Sequence, residues 1–159
     1  MIIRPATAGD AAAVAAIWNP IIDESAATFT NLRKTPEGLQ ADFAARGPAF
    51  LVAEEAGLVL GFATFFQFRG GPGYAKTLEH TVILGPAARG RGVGRRLMDA
   101  LMEEARGQGA HSLFAGVSGE NAAGIAFHAA LGFTEVARLP EVGFKFGRWM
   151  DLVLMQKFL

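Results

Sequence analysis

The sequence predicts one α/β domain built on a mixed, mostly antiparallel central sheet. Strand-like and helix-like segments alternate irregularly: two helices come early, then consecutive strands, then two more helices among the remaining strands. Gly, Pro, Asn or Asp turn chemistry bounds most segments, and no repeat, low-complexity stretch or interdomain linker is visible. Of the 159 residues, 51% are hydrophobic and 19% charged, which suits a single buried core and excludes a disordered chain.

Ile2–Pro5 reads as a short strand. Asp10–Asp23 has helical period, with Val14, Ile17, Trp18, Ile21 and Ile22 on one side; Thr7 and Asp10 fit a cap with an acidic third residue. Pro20 is expected to kink or split this helix. Ala26–Lys34 is polar and Thr-rich, a loop. Thr35-Pro36 opens a second helix, which runs to Arg46 and stops at Gly47-Pro48. Phe50–Glu54 and Leu58–Phe68 are strands around Glu55-Ala56-Gly57. Beyond the loop Arg69–Gly73, Thr77–Leu84 is the next strand, closed by Gly85-Pro86. Gly92–Arg106 is a helix with Leu97, Leu101 and Ala105 at spacings of four, ending in Gly107-Gln108-Gly109. Ser112–Val117 is a strand and Asn121–Ala130 a helix. Thr134–Arg138 and Met150–Phe158 are the last strands, separated by an irregular stretch with Pro140, Gly143 and Gly147.

Fifteen basic and fifteen acidic residues cancel, which argues against a nucleic-acid or membrane-surface partner. The absence of cysteine excludes disulfides, thiolate zinc sites and a cysteinyl acyl intermediate; no metal is expected. Pro5 and Asp10 break the order of a secretory signal, and the uncharged run Ala56–Gln67 is too short for a membrane helix. A cytoplasmic location is the expectation.

The chemistry gathers around Arg89-Gly90-Arg91-Gly92-Val93-Gly94. A strand, a Gly/Arg turn and a helix start make an anion cradle. Glycines let backbone N–H groups come close to a ligand, and the helix N-terminus offers unpaired N–H groups with partial positive charge. Arg89, Arg91, Arg95 and Arg96 add full charges. Such a site suits a pyrophosphate. The P-loop pattern is absent, because no Lys-Ser/Thr pair closes the loop. The dinucleotide pattern fails as well, since it needs glycine where Arg95 or Leu97 stands. What fits is R-x-x-G-x-G, from Arg89 through Gly92 to Gly94.

That pattern, between a strand and a helix, resembles the acetyl-CoA loop of the GCN5-related N-acetyltransferase (GNAT) superfamily, and the element order matches along the whole chain. More narrowly, the sequence resembles the phosphinothricin and methionine sulfoximine N-acetyltransferases. Glu79-His80-Thr81-Val82, Asn121-Ala122-Ala123 with His128 and Leu131-Gly132-Phe133, and the tail Gly143-Phe144-Lys145-Phe146-Gly147-Arg148-Trp149-Met150-Asp151-Leu152 carry this likeness. The resemblance implies a GNAT-type α/β/α fold whose sheet splays at the acetyl-CoA site. It also implies acetyl-CoA as co-substrate and direct transfer to the α-amine of a small amino-acid analogue. Acetylation of a protein N-terminus or a polyamine is an alternative, as is a non-catalytic acyl-CoA sensor.

Amine attack on a thioester needs a base, because an ammonium has no lone pair to donate. Glu79 resembles the family's base position; it could instead be a surface group paired with an arginine. Alternation puts Glu79 and Thr81 on one strand face and His80 and Val82 on the other. His80 either orients the amine or is a half-buried structural histidine. His128 stands where many relatives carry a tyrosine acid; it either gives a proton to the departing thiolate or is structural. A thiol pKa of about 8.5 also lets the thiolate leave unaided. Backbone N–H groups among Val82, Ile83 and Leu84 are candidates for the oxyanion, particularly if a bulge opens the strand. Asn121 resembles a CoA-arm contact and also fits an N-cap. Arg89, Gly90, Arg91, Gly92, Val93, Gly94 and Arg95 would hold the pyrophosphate.

Arg69 matches a substrate-binding arginine of the resembling family or is a solvent-exposed loop arginine, and Phe29 and Tyr74 are candidate walls beside Thr81. The clustered aromatics and cations of the tail suggest a homodimer whose interface borders the acceptor site; the alternative is that Phe144, Phe146 and Trp149 fold back onto their own sheet as core.

Overall fold

The computed structural model describes residues 1–159. Strands β1 (Ile2–Pro5), β2 (Phe50–Glu55), β3 (Leu58–Gln67), β4 (Thr77–Leu84), β5 (Ser112–Ser118), β6 (Thr134–Lys145) and β7 (Arg148–Phe158) form one sheet in the order β1-β2-β3-β4-β5-β7-β6. Every neighbouring pair is antiparallel except β4 and β5. Helices α1 (Ala11–Glu24) and α2 (Pro36–Arg46) cover one face, and α3 (Val93–Gly107) and α4 (Ala122–Ala130) the other.

Strand alternation feeds two cores. Leu51 and Ala53 of β2 face α3, where they join Leu97, Met98, Leu101 and Met102. Phe50 and Val52, one residue out of phase, face α1 and α2 and join Val14, Trp18, Ile22, Leu39 and Phe43. Trp18 meets Phe62 with ring centroids 4.7 Å apart, and Phe43 meets Phe50 at 4.6 Å. Truncating a fully buried ring such as Phe50 or Phe62 to Ala costs about 3–5 kcal/mol.

The helix starts follow their sequence signals. Thr35 accepts a hydrogen bond from the Gly38 N–H at 3.1 Å, with Pro36 at the first helical position. The Asp10 carboxylate accepts from the Thr7 N–H at 2.7 Å and from the Arg4 guanidinium at 2.8 and 2.9 Å, which hold its pKa down to about 2. Two expectations are corrected. Helix α1 runs unbroken through Pro20. The hydrogen bond that Pro20 cannot make would go to the carbonyl of Ala16, and both residues are exposed, so the missing bond falls on the helix's solvent side. The stretch between the last two strands is also not irregular. β6 runs to Lys145 and turns at Phe146-Gly147 (φ 53° and 73°) straight into β7. Register shifts between Glu135 and Ala137 and between Leu139 and Gly143 absorb the residues that looked like breakers, including Pro140.

The sheet opens in one place. β4 pairs with β5 only from Thr77↔Ser112 to His80↔Ala115, whereas β5 continues along β7 as far as Ser118↔Leu152. Beyond His80 the two parallel strands diverge. No bulge opens β4, for the β3–β4 ladder runs one-for-one from Gln67↔Leu78 to Gly61↔Leu84. The wedge comes from β5 leaving β4. No helix is long and apolar enough to cross a membrane.

Candidate active site

The wedge holds a cleft of about 310 Å³. It brings together Phe29, Glu79, His80, Thr81, Val82, Ile83, Asn121 and His128 from the sequence-derived candidates. Trp18, Ala27, Thr28, Ala115, Gly116, Val117, Ser118 and Leu152 complete the lining and were not foreseen. The β5 residues had a signal: they follow a strand parallel to β4, so the end of that strand must face the same opening.

Glu79 sits at the next-to-last rung that β4 shares with β5, opposite Phe114. Its carboxylate points towards β5, where a methyl group added at Gly116 would lie 3.9 Å from it. It is half-buried with no cationic partner, and burial raises its pKa. The alternative of a surface group paired with arginine is therefore excluded. A desolvated carboxylate that would rather hold a proton is what a base needs at the moment an ammonium must lose one.

Alternation also decides which backbone groups face the opening. The Gly85 N–H donates to the Leu60 carbonyl at 2.8 Å, so the odd-numbered N–H groups of β4 point to β3. Those of Val82 and Leu84 point to the wedge, where no strand pairs them. They are the unpaired N–H groups that the strand presents to the cleft. The Leu84 side chain instead packs in the α3 core, as does Val82 in part.

His80 and His128 join across the opposite face of β4. Their Nε2 atoms are 2.9 Å apart, and His128 Nδ1 donates to the Gly124 carbonyl at 2.7 Å. Burial, reinforced by the neighbouring imidazole, pushes His80 down to about 3; burial also lowers His128, against the Gly124 carbonyl that raises it. His80 Nδ1 is buried with no hydrogen-bond partner, the Phe114 backbone lying near enough to raise its pKa without forming a well-aligned bond. Both nitrogens of His128 are engaged, so the geometry does not support it as an acid.

Asn121 caps α4, its Oδ1 accepting from the Gly124 N–H at 2.9 Å, and it also lines the cleft. Glycine at 124 is coupled to this arrangement, because a side chain there would stand 2.4 Å from the Asn121 amide.

The cradle forms at the start of α3. Gly92 caps the helix at φ 72°, and Gly90 turns at φ 71°. The first hydrogen bond of the helix runs from the Arg96 N–H to the Gly92 carbonyl, which leaves the N–H groups of Val93, Gly94 and Arg95 without helical partners. Three arginines are committed: Arg91 to Glu55 at 2.6 Å, Arg95 to the Ala130 carbonyl and Arg96 to the Met1 carbonyl. Arg89 is left exposed. Gly94 has a packing reason of its own, since a methyl group there would meet Phe127 and Leu84 at 3.1–3.2 Å.

Arg69 and Tyr74 do not reach the cleft. They stack on each other at 5.6 Å on the β3–β4 loop, which the Gln67 amide fastens through the Arg69 and Gly71 carbonyls at 2.6 and 2.7 Å. No group of three or more His, Asp or Glu side chains is gathered as for a metal.

Comparison with known proteins agrees with this geometry. The model of the acetyltransferase (GNAT) family matches residues 18–133. An L-methionine sulfoximine/L-methionine sulfone acetyltransferase of Salmonella typhimurium is 42% identical over 98% of this chain and 93% of its own. The solved structure of Salmonella typhimurium yncA with its cofactor acetyl-CoA superposes with a TM-score of 0.94 at 41% identity, covering 100% of this chain and 94% of that one. A structure described as ribosomal-protein-alanine N-acetyltransferase from Brucella melitensis superposes at 0.95 with 40% identity and full coverage of both chains. The splayed β4–β5 wedge, the glycine-capped α3 and the matched sequence all say that the chain belongs to the acetyltransferase (GNAT) family.

Proposed function

We propose that this protein transfers the acetyl group of acetyl-CoA directly to the α-amine of a small amino-acid analogue of the methionine sulfoximine, methionine sulfone or phosphinothricin type. Glu79 carries the reading: an unpaired, half-buried carboxylate at the mouth of a wedge that ends in an anion cradle. The cradle fits the pyrophosphate through the free N–H groups of Val93, Gly94 and Arg95, helped by Arg89. The wedge between β4 and β5 accommodates the pantetheine arm as a strand-like insert beside Asn121.

Glu79 takes the ammonium proton, directly or through one water. The amine then attacks the carbonyl carbon while the Val82 and Leu84 N–H groups stabilise the negative oxygen. As the intermediate collapses, the new amide nitrogen gives its second proton to the departing sulfur or to water, so the thiolate leaves without a protein acid, and His128 holds α4 against β4. Thr81 and Phe29 flank the acceptor. Arg69 and Tyr74 would bind an acceptor only if their loop moved.

Turnover of acetyl-CoA across a panel of methionine sulfoximine, methionine sulfone, phosphinothricin, spermidine and an alanyl N-terminal peptide tests the reading. The peptide belongs there because of the Brucella neighbour's description. Preferential turnover of the peptide would replace the small-acceptor reading; no turnover with retained acetyl-CoA binding would leave a sensor. The same reading includes a cytoplasmic location, where acetyl-CoA is available, and a homodimer. The dimer is supported by Phe144, Phe146 and Trp149, which are 56%, 50% and 59% exposed rather than folded onto their own sheet.

A further inference from the structure

The segment that brings Phe29 to the cleft has little structure of its own. Ala26–Lys34 makes no backbone–backbone hydrogen bond of good geometry, and it lies between the end of α1 and the start of α2. Asn19 fastens its far end, accepting from the Lys34 N–H at 2.7 Å and donating to the Lys34 carbonyl at 3.0 Å. Its near end is held by β6. Lys145, largely buried, donates from Nζ to the Ser25 carbonyl at 2.6 Å and to the Thr28 carbonyl at 2.8 Å. Two residues earlier on the same strand face, Gly143 lies directly under the Phe29 ring. A methyl group at Gly143 would stand 2.4, 2.5 and 2.7 Å from three ring atoms. Gly143 has no positive φ, so space alone demands glycine there. The ammonium is given to two carbonyls and to the Phe146 ring at 4.9 Å, with Asp23 near but not in ion-pair contact, so its hydrogen bonds go to the segment and not to a carboxylate.

We propose that Lys145 and Gly143 are positioning residues that fix the Phe29 segment and thereby set which acceptor side chains the cleft admits. The proposal rests on the acetyltransferase reading and deepens it. Lys145 closes the Ser25–Thr28 turn from behind, and Gly143 lets the ring lie flat against β6. Phe29 then stands as a rigid wall with Thr28 and Leu152 around it. The acceptor class is an α-amino acid with a side chain short enough to end at that wall. The opposite face of the same strand carries exposed Phe144, so one hairpin presents its inner face to the acceptor and its outer face to solvent.

The test uses the full chain with Lys145→Met and Gly143→Ala, each first checked for a cooperative melt. Misplacing a reacting partner by about 1 Å costs up to about 10²-fold, so Lys145→Met is expected to lower acceptor kcat/KM by about ten- to a hundredfold, through KM more than kcat. Acetyl-CoA affinity by calorimetry stays within about twofold. Gly143→Ala is expected to change the ratio of kcat/KM between a small acceptor, alanine, and methionine sulfone by about tenfold, within the range that one methylene contributes in a pocket. Hydrogen exchange gives a readout without turnover: at the amides of residues 26–34 that side chains hold, Ala27, Leu32 and Lys34, Lys145→Met should speed exchange, and α3 should be unchanged. Unchanged acceptor kinetics in both variants, a parallel loss of acetyl-CoA affinity, or unchanged exchange at 26–34 overturns the proposal. A wild-type protein that acetylates none of the panel would defeat the functional reading, while the exchange comparison would still decide whether Lys145 fastens the segment.

Discussion

His80 and His128 share one proton between their Nε2 atoms, 2.9 Å apart, and the direction of that bond is fixed by Gly124. The Gly124 carbonyl can only accept, so His128 carries its proton on Nδ1 and presents a lone pair at Nε2. His80 must then donate from Nε2, which leaves its own Nδ1 as the bare acceptor found buried without a partner. The neutral pair satisfies three of its four ring nitrogens and links the middle of β4 to α4. In this state His128 has no proton to spare for a departing thiolate.

The first prediction is therefore acid sensitivity of the fold. Both imidazoles have folded pKa values below the unfolded value of about 6.5, His80 at about 3. Between those limits the unfolded chain binds more protons than the native one, so stability rises with pH and is lost as pH falls from about 6.5 towards 3. Each proton contributes about 1.36 kcal/mol per pH unit inside its window. Urea melts from pH 7 to pH 4 should show this slope, and His80→Leu should flatten it. A slope unchanged in His80→Leu would mean that other groups set the acid limit.

The second concerns the departing group. His128→Asn should lower kcat by less than about tenfold once stability is matched, since the residue positions α4 and transfers no proton. A loss in the range of 10²–10⁴ expected of a general acid would restore the acid role.

Glu79→Gln separates base from surface charge by two signs at once. A positioned base contributes about 10²–10⁴ in rate, so kcat should fall in that range with acetyl-CoA affinity unchanged. Because burial raises the folded pKa of Glu79, the linkage favours the fold below the unfolded carboxylate value and is lost as pH rises through the folded one. At neutral pH the ionised side chain is a burden, so the variant should melt at an equal or higher temperature. The wild-type pH–rate profile should fall on its acid side at a pH above the ordinary carboxylate range. A variant that melts lower and works normally would mark Glu79 as a structural residue and not a base.

Glycines in the cradle should respond differently from one another. Nothing lies within 4 Å of a methyl group placed at Gly92, and Asn and Asp tolerate its left-handed φ of 72°. Gly92→Asn should leave the melt and the acetyl-CoA KM nearly unchanged, whereas Gly92→Asp adds a like charge where pyrophosphate binds and should raise that KM about tenfold or more, as a repulsion of about 1.4 kcal/mol would. Gly94→Asp should instead destabilise the fold, because Phe127 and Leu84 occupy its space. Equal acetyl-CoA KM values for Gly92→Asn and Gly92→Asp would remove the pyrophosphate from this turn.

Local signals made most of the fold legible. Thr35-Pro36 and Gly47-Pro48 bound α2, and Gly85-Pro86 closes β4, at the expected residues. Alternation correctly placed Glu79 and His80 on opposite faces. What local pattern could not show is contact made across distance. Lys145 meets carbonyls 117 and 120 residues away, and no periodicity marks a lysine that will be buried. Arg69 and Tyr74 are site candidates by type and place in the chain, but the sequence does not show that they stack on each other, on a loop that Gln67 holds outside the cleft. Pro140 and Gly143 looked like strand breakers, yet one sits in a register shift and the other is there for the Phe29 ring.

The last prediction joins the hairpin to the assembly. Phe144 and Trp149 face each other across the β6–β7 ladder, with ring centroids 5.0 Å apart, on the outer face of the sheet's last strands. Val136, Leu139 and Val142 continue the exposed apolar surface along β6, and Arg148, paired to Glu120 at 2.7 Å, supplies a polar rim. An apolar centre edged by polar groups is the anatomy of an interface, and the outer face of an end hairpin is where a second copy can seat it. Light scattering at micromolar concentration should report a dimer. Trp149→Ala, with its side chain already exposed in the protomer, should leave the protomer's melt nearly intact while raising the dimer dissociation constant about tenfold or more, since central aromatic contacts contribute about 2 kcal/mol or more. Because Gly143 and Lys145 on the same strand hold the Phe29 segment, the acceptor KM should rise with dissociation and the acetyl-CoA KM should not. A monomer at every concentration with full activity would sink both the dimer and its link to the acceptor wall.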